Sequence, residues 1–368
     1  MAEQRLIYVG TYTEPIRFGT GQILEGKGRG IHILRLDMET GALTPCGVAE
    51  GVRNPSFVAF HPSRQFLYAV NELKEFQGAP SGAVSAFAIH PESGELTFLN
   101  SQATHGTDPC HVTVDPTGRV ALVANFASGS VCALPILADG SLGEASDFVQ
   151  HHGSSVDPVR QSGPHAHAVT LDASGHMLFV PDLGLDRVMI YRLDAQGGTL
   201  EPNDPPWVSV PAGSGPRQIA FHPTGAYAYL INELNSTIIA FRYDASRGTL
   251  EPIQTVPTLP YGYLGKSTTA EVQITPDGRY LYGSNRGHDS IAMYRVALTS
   301  GMLRSLGQVS SQGRIPRHFT VDPTGRFALV ANQDTDNLVV FRVDDATGAL
   351  TLTGHTAHVP TPVCVQVL

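Results

Sequence analysis

Short apolar runs alternate with clusters of Gly, Pro, Asn, Asp and Ser along the whole chain, and few runs carry a helical period. Residues 215–258 show the pattern in full. Gly215-Pro216 breaks the chain, Arg217 to Phe221 reads as a strand, and His222-Pro223-Thr224-Gly225 turns it. Tyr227 to Ile231 alternates β-formers, Glu233 to Ser236 turns again, and Ile238 to Tyr243 and Leu250 to Val256 complete four strands. The tight turn recurs as Pro116-Thr117-Gly118, Pro276-Asp277-Gly278 and Pro323-Thr324-Gly325, and in degraded form as Ala173-Ser174-Gly175 and Pro62-Ser63-Arg64. An Asn follows at one fixed distance: Asn71, Asn125, Asn232, Asn285 and Asn332, with Asp182 in the remaining copy. A third-to-fourth-strand turn recurs too, as in Glu39 to Leu43, Glu92 to Leu96 and Ala346 to Leu350.

Units of about 50 residues with four strands each are propeller blades. Six lie whole in the chain. The seventh is split, with one strand at Pro362 to Leu368 and the next at Leu6 to Tyr12. The expected fold is therefore all-β: one seven-bladed β-propeller domain over residues 1–368, with four-stranded antiparallel blades. Pairing of the N- and C-terminal strands closes the ring and removes two sheet edges.

In such a ring the first strand of each blade lines the central channel. The Pro-Thr-Gly turns share one face. The start of strand one and the end of strand two share the other, so a site at that channel mouth is built from those two positions. The opening residue of strand one reads Ser56, Cys110, His167, Arg217, Ala270, Arg317 and Val363, and the next reads Phe57, His111, Ala168, Gln218, Glu271, His318 and Cys364. The residue after the recurrent Asn or Asp reads Glu72, Phe126, Leu183, Glu233, Arg286 and Gln333, with Tyr12 near that slot in the split blade. Arginines, histidines and carboxylates thus collect at one mouth, a set able to hold an anion and move a proton.

Composition narrows the picture. The 368 residues carry a formal charge of −9, which argues against nucleic-acid or membrane-surface binding. No apolar run reaches membrane-spanning length, and the first residues lack a secretory signal pattern. Cys46, Cys110, Cys132 and Cys364 show no metal-ligand spacing and read as thiols of a reducing, cytoplasmic compartment.

Several residues read as scaffold. The recurrent Asn caps the turn into strand three. His61, His90 and His222 precede proline at turns and are expected in solvent, and His151-His152 are expected on a surface loop. His165-Ala166-His167 has no further ligand nearby for a metal, so a neutral imidazole acting as acid or base fits better. Neither a metal nor another cofactor is expected. Residues 21–27, GQILEGK, superficially fit a phosphate-binding loop, but Gly28 stands where a Ser or Thr belongs and a strand follows instead of a helix. The segment reads as a flexible insertion on the site face, placed to act as a lid.

The chain resembles the seven-bladed propeller lactonases, a family that includes propeller-type 6-phosphogluconolactonases and fungal carboxymuconate-lactonizing enzymes. The stretches that carry the resemblance include IYVGTYTEP at the start, GSSVDPVRQSGPHAHAV at 153–169, GPRQIAFHPTGAYAYLINELNST at 215–237 and AEVQITPDGRYLYGSNRGHDSI at 270–291. It implies that His167 is the histidine of proton transfer and that Arg217, Glu233 and Arg286 are the other catalytic positions. His165, Arg160, Asp182, Glu271, Arg317 and Gln333 are the expected substrate contacts.

The expected activity is hydrolysis of a small anionic lactone, foremost 6-phosphogluconolactone. His167 would act as general base on water, with Glu233 orienting it, Arg217 and Arg286 at the developing oxyanion, and Arg317 and Arg160 on the phosphate. A group titrating between about pH 5 and 8 is expected for His167. The rival readings are a muconate-type lactonizing enzyme and a non-catalytic binding platform. The oligomeric state stays open.

Overall fold

The structure is a computed structural model that describes residues 3–368. Seven four-stranded antiparallel sheets form a seven-bladed propeller. The representative blade runs Pro216–Phe221, Tyr227–Asn232, Thr237–Asp244 and Thr249–Pro257. The split blade joins Pro362–Val367 to Gln4–Thr11, then Gly30–Asp37 and Leu43–Glu50, with Ile7 opposite Val367 and Val9 opposite Val365. Among the described residues, helical structure is limited to one 3-10 turn at Gln333–Thr335.

Alternation along each strand sends side chains to both faces of a blade, and the core lies between blades. Phe179, Ile190, Ile219, Leu230 and Phe241 form one such seam, and Ile7, Val9, Leu329, Val340 and Val365 form another across the joint of the termini. Second-strand tyrosines stitch the seams. Tyr8, Tyr68, Tyr229 and Tyr282 each donate to the carbonyl of a turn glycine in the next blade: Gly94, Gly140, Gly301 and Gly348, at 2.8 to 3.1 Å. This explains the recurrent outer turn. Gly348 has φ +74°, and a Cβ there would lie 2.1 Å from the Tyr280 ring, so the slot needs glycine twice over.

The recurrent Asn is buried; Asn71 bonds the loop entering its own blade at the Arg53 carbonyl (2.8 Å) and Asn332 at the Ser311 carbonyl (2.9 Å), while Asn232 bonds Thr237 at the start of strand three (3.0 Å). Two histidine expectations need correction. His222 is buried, and its ring links Thr224 to the Gly278 carbonyl of the adjacent turn. His61 does the same toward Gly118, while His90 is exposed as expected. An imidazole on a tight turn is long enough to reach the next blade, which buries His222 and half-buries His61. The insertion is a small hairpin, Ile16–Arg17 with Ile23–Leu24, tied at its base by the Gly28 amide on the Tyr12 carbonyl and by the Lys27–Asp336 ion pair.

Candidate active site

The inner strands bring their first residues to one mouth of the channel, where a cavity of about 330 Å3 opens. Its lining includes His165, His167, Glu233, Arg160, Arg286, Arg317 and Gln333. Arg217 and Glu271 lie one layer deeper, around a cleft of about 20 Å3 that also touches His111, His167 and His318.

Glu233 is the electrostatic centre. Arg160 reaches its Oε1 at 2.5 Å, while Arg217 Nε (3.0 Å) and Arg286 (2.8 Å) share its Oε2. Burial alone would raise this carboxyl, but Arg286, Arg160, Arg217 and His167 outweigh it and hold the pKa well below the usual range. Arg217 also donates to the Ala270 carbonyl, and Arg286 to the Thr269 carbonyl at 2.7 Å. Burial lowers Arg286 to about 9 despite Glu233, and its Nε has no partner among the described residues. Arg317 bonds the Tyr12 hydroxyl at 2.9 Å and stacks over the rings of Tyr12 and Phe18.

The two histidines enter on an irregular stretch. The blade's inner ladder is only Thr170–Leu171, and Ala166 pairs Asp182 as an isolated bridge. Both imidazoles line the cavity, as residues two apart on one face of an extended stretch do. The His165 ring stacks on Phe126, and its Nδ1 lies 2.9 Å from the Phe126 carbonyl. A carbonyl only accepts, so Nδ1 carries the proton and Nε2 keeps its lone pair. His167 is half-buried beside Cys110. Desolvation, then Arg217, Arg317 and Arg286, push its pKa well below 6.5, with Glu233 opposing. The expected titration between about 5 and 8 is thus displaced downward in the free protein, because desolvation and three guanidiniums outweigh Glu233. No hydrogen bond joins Glu233 to His167 among the described residues. Glu233 acts on the imidazole through its field.

Asp182, expected at the substrate, is fully buried and outside the cavity lining. It takes the amides of His165, Gly184 and Leu185 and the His151 ring at 2.7 Å. His151 in turn meets the Tyr191 hydroxyl at 3.0 Å, so the expected surface histidine is a core one. An Asp in an Asn slot needs a cationic or donor partner, and the loop supplies it. Glu271 lies in the deeper layer, where burial raises it to about 7.

Other residues at the cavity were not picked from the sequence as candidates: Glu72, Lys74, Asp108, Cys110, Phe126, Arg17 and Phe18. Glu72, Cys110 and Phe126 occupy the same blade positions as the chosen residues, and that signal was available. Arg17 and Phe18 come from the hairpin, which has no counterpart in other blades. Among the described residues no three His, Cys, Asp or Glu side chains are arranged to hold a metal ion.

A propeller whose channel mouth sets two imidazoles against a cluster of guanidiniums can hold a small anion and move a proton. The chain belongs to the family described as "Lactonase, 7-bladed beta-propeller", whose model matches residues 6–367. It is similar to the 6-phosphogluconolactonase of Bacillus subtilis, with 38% identity covering 98% of this chain and 97% of that protein. It is also similar to the 6-phosphogluconolactonase of Formosa agariphila (31%, 86% of each). A solved structure titled periplasmic gluconolactonase, from Pseudomonas aeruginosa, superposes with a TM-score of 0.91 at 34% identity, covering 100% of this chain and 99% of that one. The protein is a lactone hydrolase, a carboxylic ester hydrolase. No helix among the described residues is long and apolar enough to cross a membrane.

Proposed function

We propose that the protein hydrolyses 6-phosphogluconolactone to 6-phosphogluconate. The observation that carries this reading is the meeting of His165, His167 and the guanidiniums of Arg160, Arg286 and Arg317 around one cavity of about 330 Å3. His167 takes a proton from water as the water oxygen attacks the lactone carbonyl. It is chosen over His165 because the arginines that would stabilise the oxyanion are its electrostatic neighbours. Arg286, with an unpartnered Nε, faces the developing negative charge. Arg160 and Arg317 hold the phosphate. Arg217 fixes Glu233, which keeps the guanidiniums in place between turnovers. Opening of the ring breaks the acyl C–O bond, and the alkoxide takes the proton from the imidazolium. General-base assistance of this kind contributes roughly 10²–10⁴-fold. A cytoplasmic location belongs to the same proposal, supported by four free cysteines.

The test is the hydrolysis rate of freshly generated 6-phosphogluconolactone beside unphosphorylated gluconolactone, each corrected for spontaneous opening. A rate well above background that needs the phosphate supports the proposal. Acceleration of neither lactone overturns it.

A further inference from the structure

The tripeptide Asn-Glu-Leu occurs twice at the same blade position, as Asn71-Glu72-Leu73 and Asn232-Glu233-Leu234. Both glutamates end a second strand at the cavity, in blades on different sides of the ring. Their surroundings differ. Glu233 is saturated by three guanidiniums. Glu72 contacts no cation directly. Its Oε2 meets the Tyr12 hydroxyl at 3.0 Å, and that hydroxyl meets Arg317 at 2.9 Å. A guanidinium can only donate, so Tyr12 accepts from Arg317 and turns its own proton toward Glu72. Oε2 is thereby fixed, and among the described residues the Ser56 hydroxyl is the one other donor beside the carboxyl.

Glu72 is only 7% exposed, yet it lines the main cavity. Asp108, also 7% exposed, lines the same wall. Its carboxylate takes no hydrogen bond among the described residues, and Lys74 stands 3.9 Å away. Two buried carboxyl groups facing a cavity with spare acceptor capacity are costly unless something supplies donors. Burial raises Glu72 to about 7 and also raises Asp108; in their ionised form the two carboxylates repel an anion and accept from hydroxyl groups.

We propose that Glu72, with Asp108 beside it, is the hydroxyl-binding pole of the site, where the carboxyl oxygens accept hydrogen bonds from ring hydroxyls of a polyhydroxylated lactone while the guanidiniums take its anionic group. Glu72 and Glu233 then divide one blade position between two tasks: Glu233 organises the cations, and Glu72 reads the sugar. The inference rests on the lactonase reading above and assigns the side chains that recognise the hydroxyls of its sugar lactone.

The test uses two ligands that share a carboxylate and a terminal phosphorus anion and differ in hydroxyls: 6-phosphogluconate and 6-phosphonohexanoate. Their affinities are measured by calorimetry for the full-length protein and for Glu72→Gln and Asp108→Asn, with melting curves to confirm folding. The wild type should prefer the hydroxylated ligand by roughly tenfold or more, the worth of a hydrogen bond to a charged group. Glu72→Gln should erase most of that preference and leave the hydroxyl-free affinity nearly unchanged. Asp108→Asn should reduce it and carries the test if the first variant does not fold. An unchanged preference, or equal losses for both ligands, overturns the proposal while leaving the lactonase reading standing. Binding of neither ligand to the wild type sinks the 6-phosphogluconolactone reading and this inference with it.

Discussion

His318 accepts the backbone N–H of Val365 on its Nδ1 at 3.3 Å, across the joint between the last whole blade and the split one. His111 accepts the N–H of Val169 in the same way and at the same distance. Both histidines occupy the second position of an inner strand, so one side chain repeats one task at two seams. In His318 an Nδ1 that accepts leaves Nε2 protonated and the ring neutral, with the Glu271 carboxylate 3.6 Å away, while in His111 the Gln218 side-chain amide meets Nε2 at 3.1 Å.

Acid sensitivity follows. Burial, helped by the Arg217 charge, lowers His111 to about 3, and burial, then His111 and Arg217, lower His318 to about 3. The unfolded chain binds these protons near 6.5. Stability is therefore complete above pH 6.5 and is lost as pH falls toward 3, by roughly 2 kcal/mol for each imidazole at pH 5. Urea melts of the wild type and of His318→Gln between pH 7 and 5 check this. An equal pH slope in both would contradict it.

The pH–rate profile separates free enzyme from complex. With His167 held well below 6.5, kcat/KM should stay flat from pH 7.5 down through 6.5 and fall only at lower pH. A bound anion offsets Arg217 and Arg317, so the acid limb of kcat should sit higher. Unphosphorylated gluconolactone run in parallel removes the titration of the substrate phosphate. A midpoint at or above 6.5 in kcat/KM would rule out the assigned state of His167.

Glu233→Gln leaves three guanidiniums without their shared counter-ion. Breaking a buried cluster of this kind costs about 3–5 kcal/mol. The variant should melt earlier, and inorganic phosphate should raise its melting temperature more than it raises that of the wild type. Calorimetry with and without phosphate measures both. Equal phosphate shifts would show that the cluster does not bind the anion.

Phe18 offers a milder change. Arg317 lies 5.1 Å from its ring centroid, and removing such a contact costs about 0.5–1 kcal/mol. Phe18→Ala should raise KM about two- to fivefold with kcat and melting temperature nearly unchanged. A fall in kcat with KM constant would place Phe18 in the chemical step instead.

The fold was legible because its punctuation repeats. Turns such as Pro223-Thr224-Gly225 mark strand ends by chemistry that tertiary contacts do not override, and Pro216–Phe221 and Tyr227–Asn232 fall within a residue of the reading. The site was legible where it uses blade positions, as with Arg286, Glu233 and Arg317. It was not legible in depth. Arg217 and Arg317 share a slot, yet Arg217 turns inward to Glu233 while Arg317 turns to Tyr12. Which way a long side chain turns depends on partners remote in sequence, and a one-dimensional register carries no such information. His151 shows the same gap, since its burial is set by Asp182 and Tyr191.

The split blade also sets an order of events during synthesis. Tyr12 leaves the ribosome about 350 residues before the strand that completes its sheet, Pro362–Val367. At 5–20 residues per second the interval is roughly 20–70 s. Throughout it the Gln4–Thr11 edge has no inner partner, and for most of it Arg317, the partner of Tyr12, has not been made. The hydrolytic pocket therefore arises in a single late closure, after every other blade has had time to form, and a nascent chain stalled before that point would carry an open β-edge in need of protection.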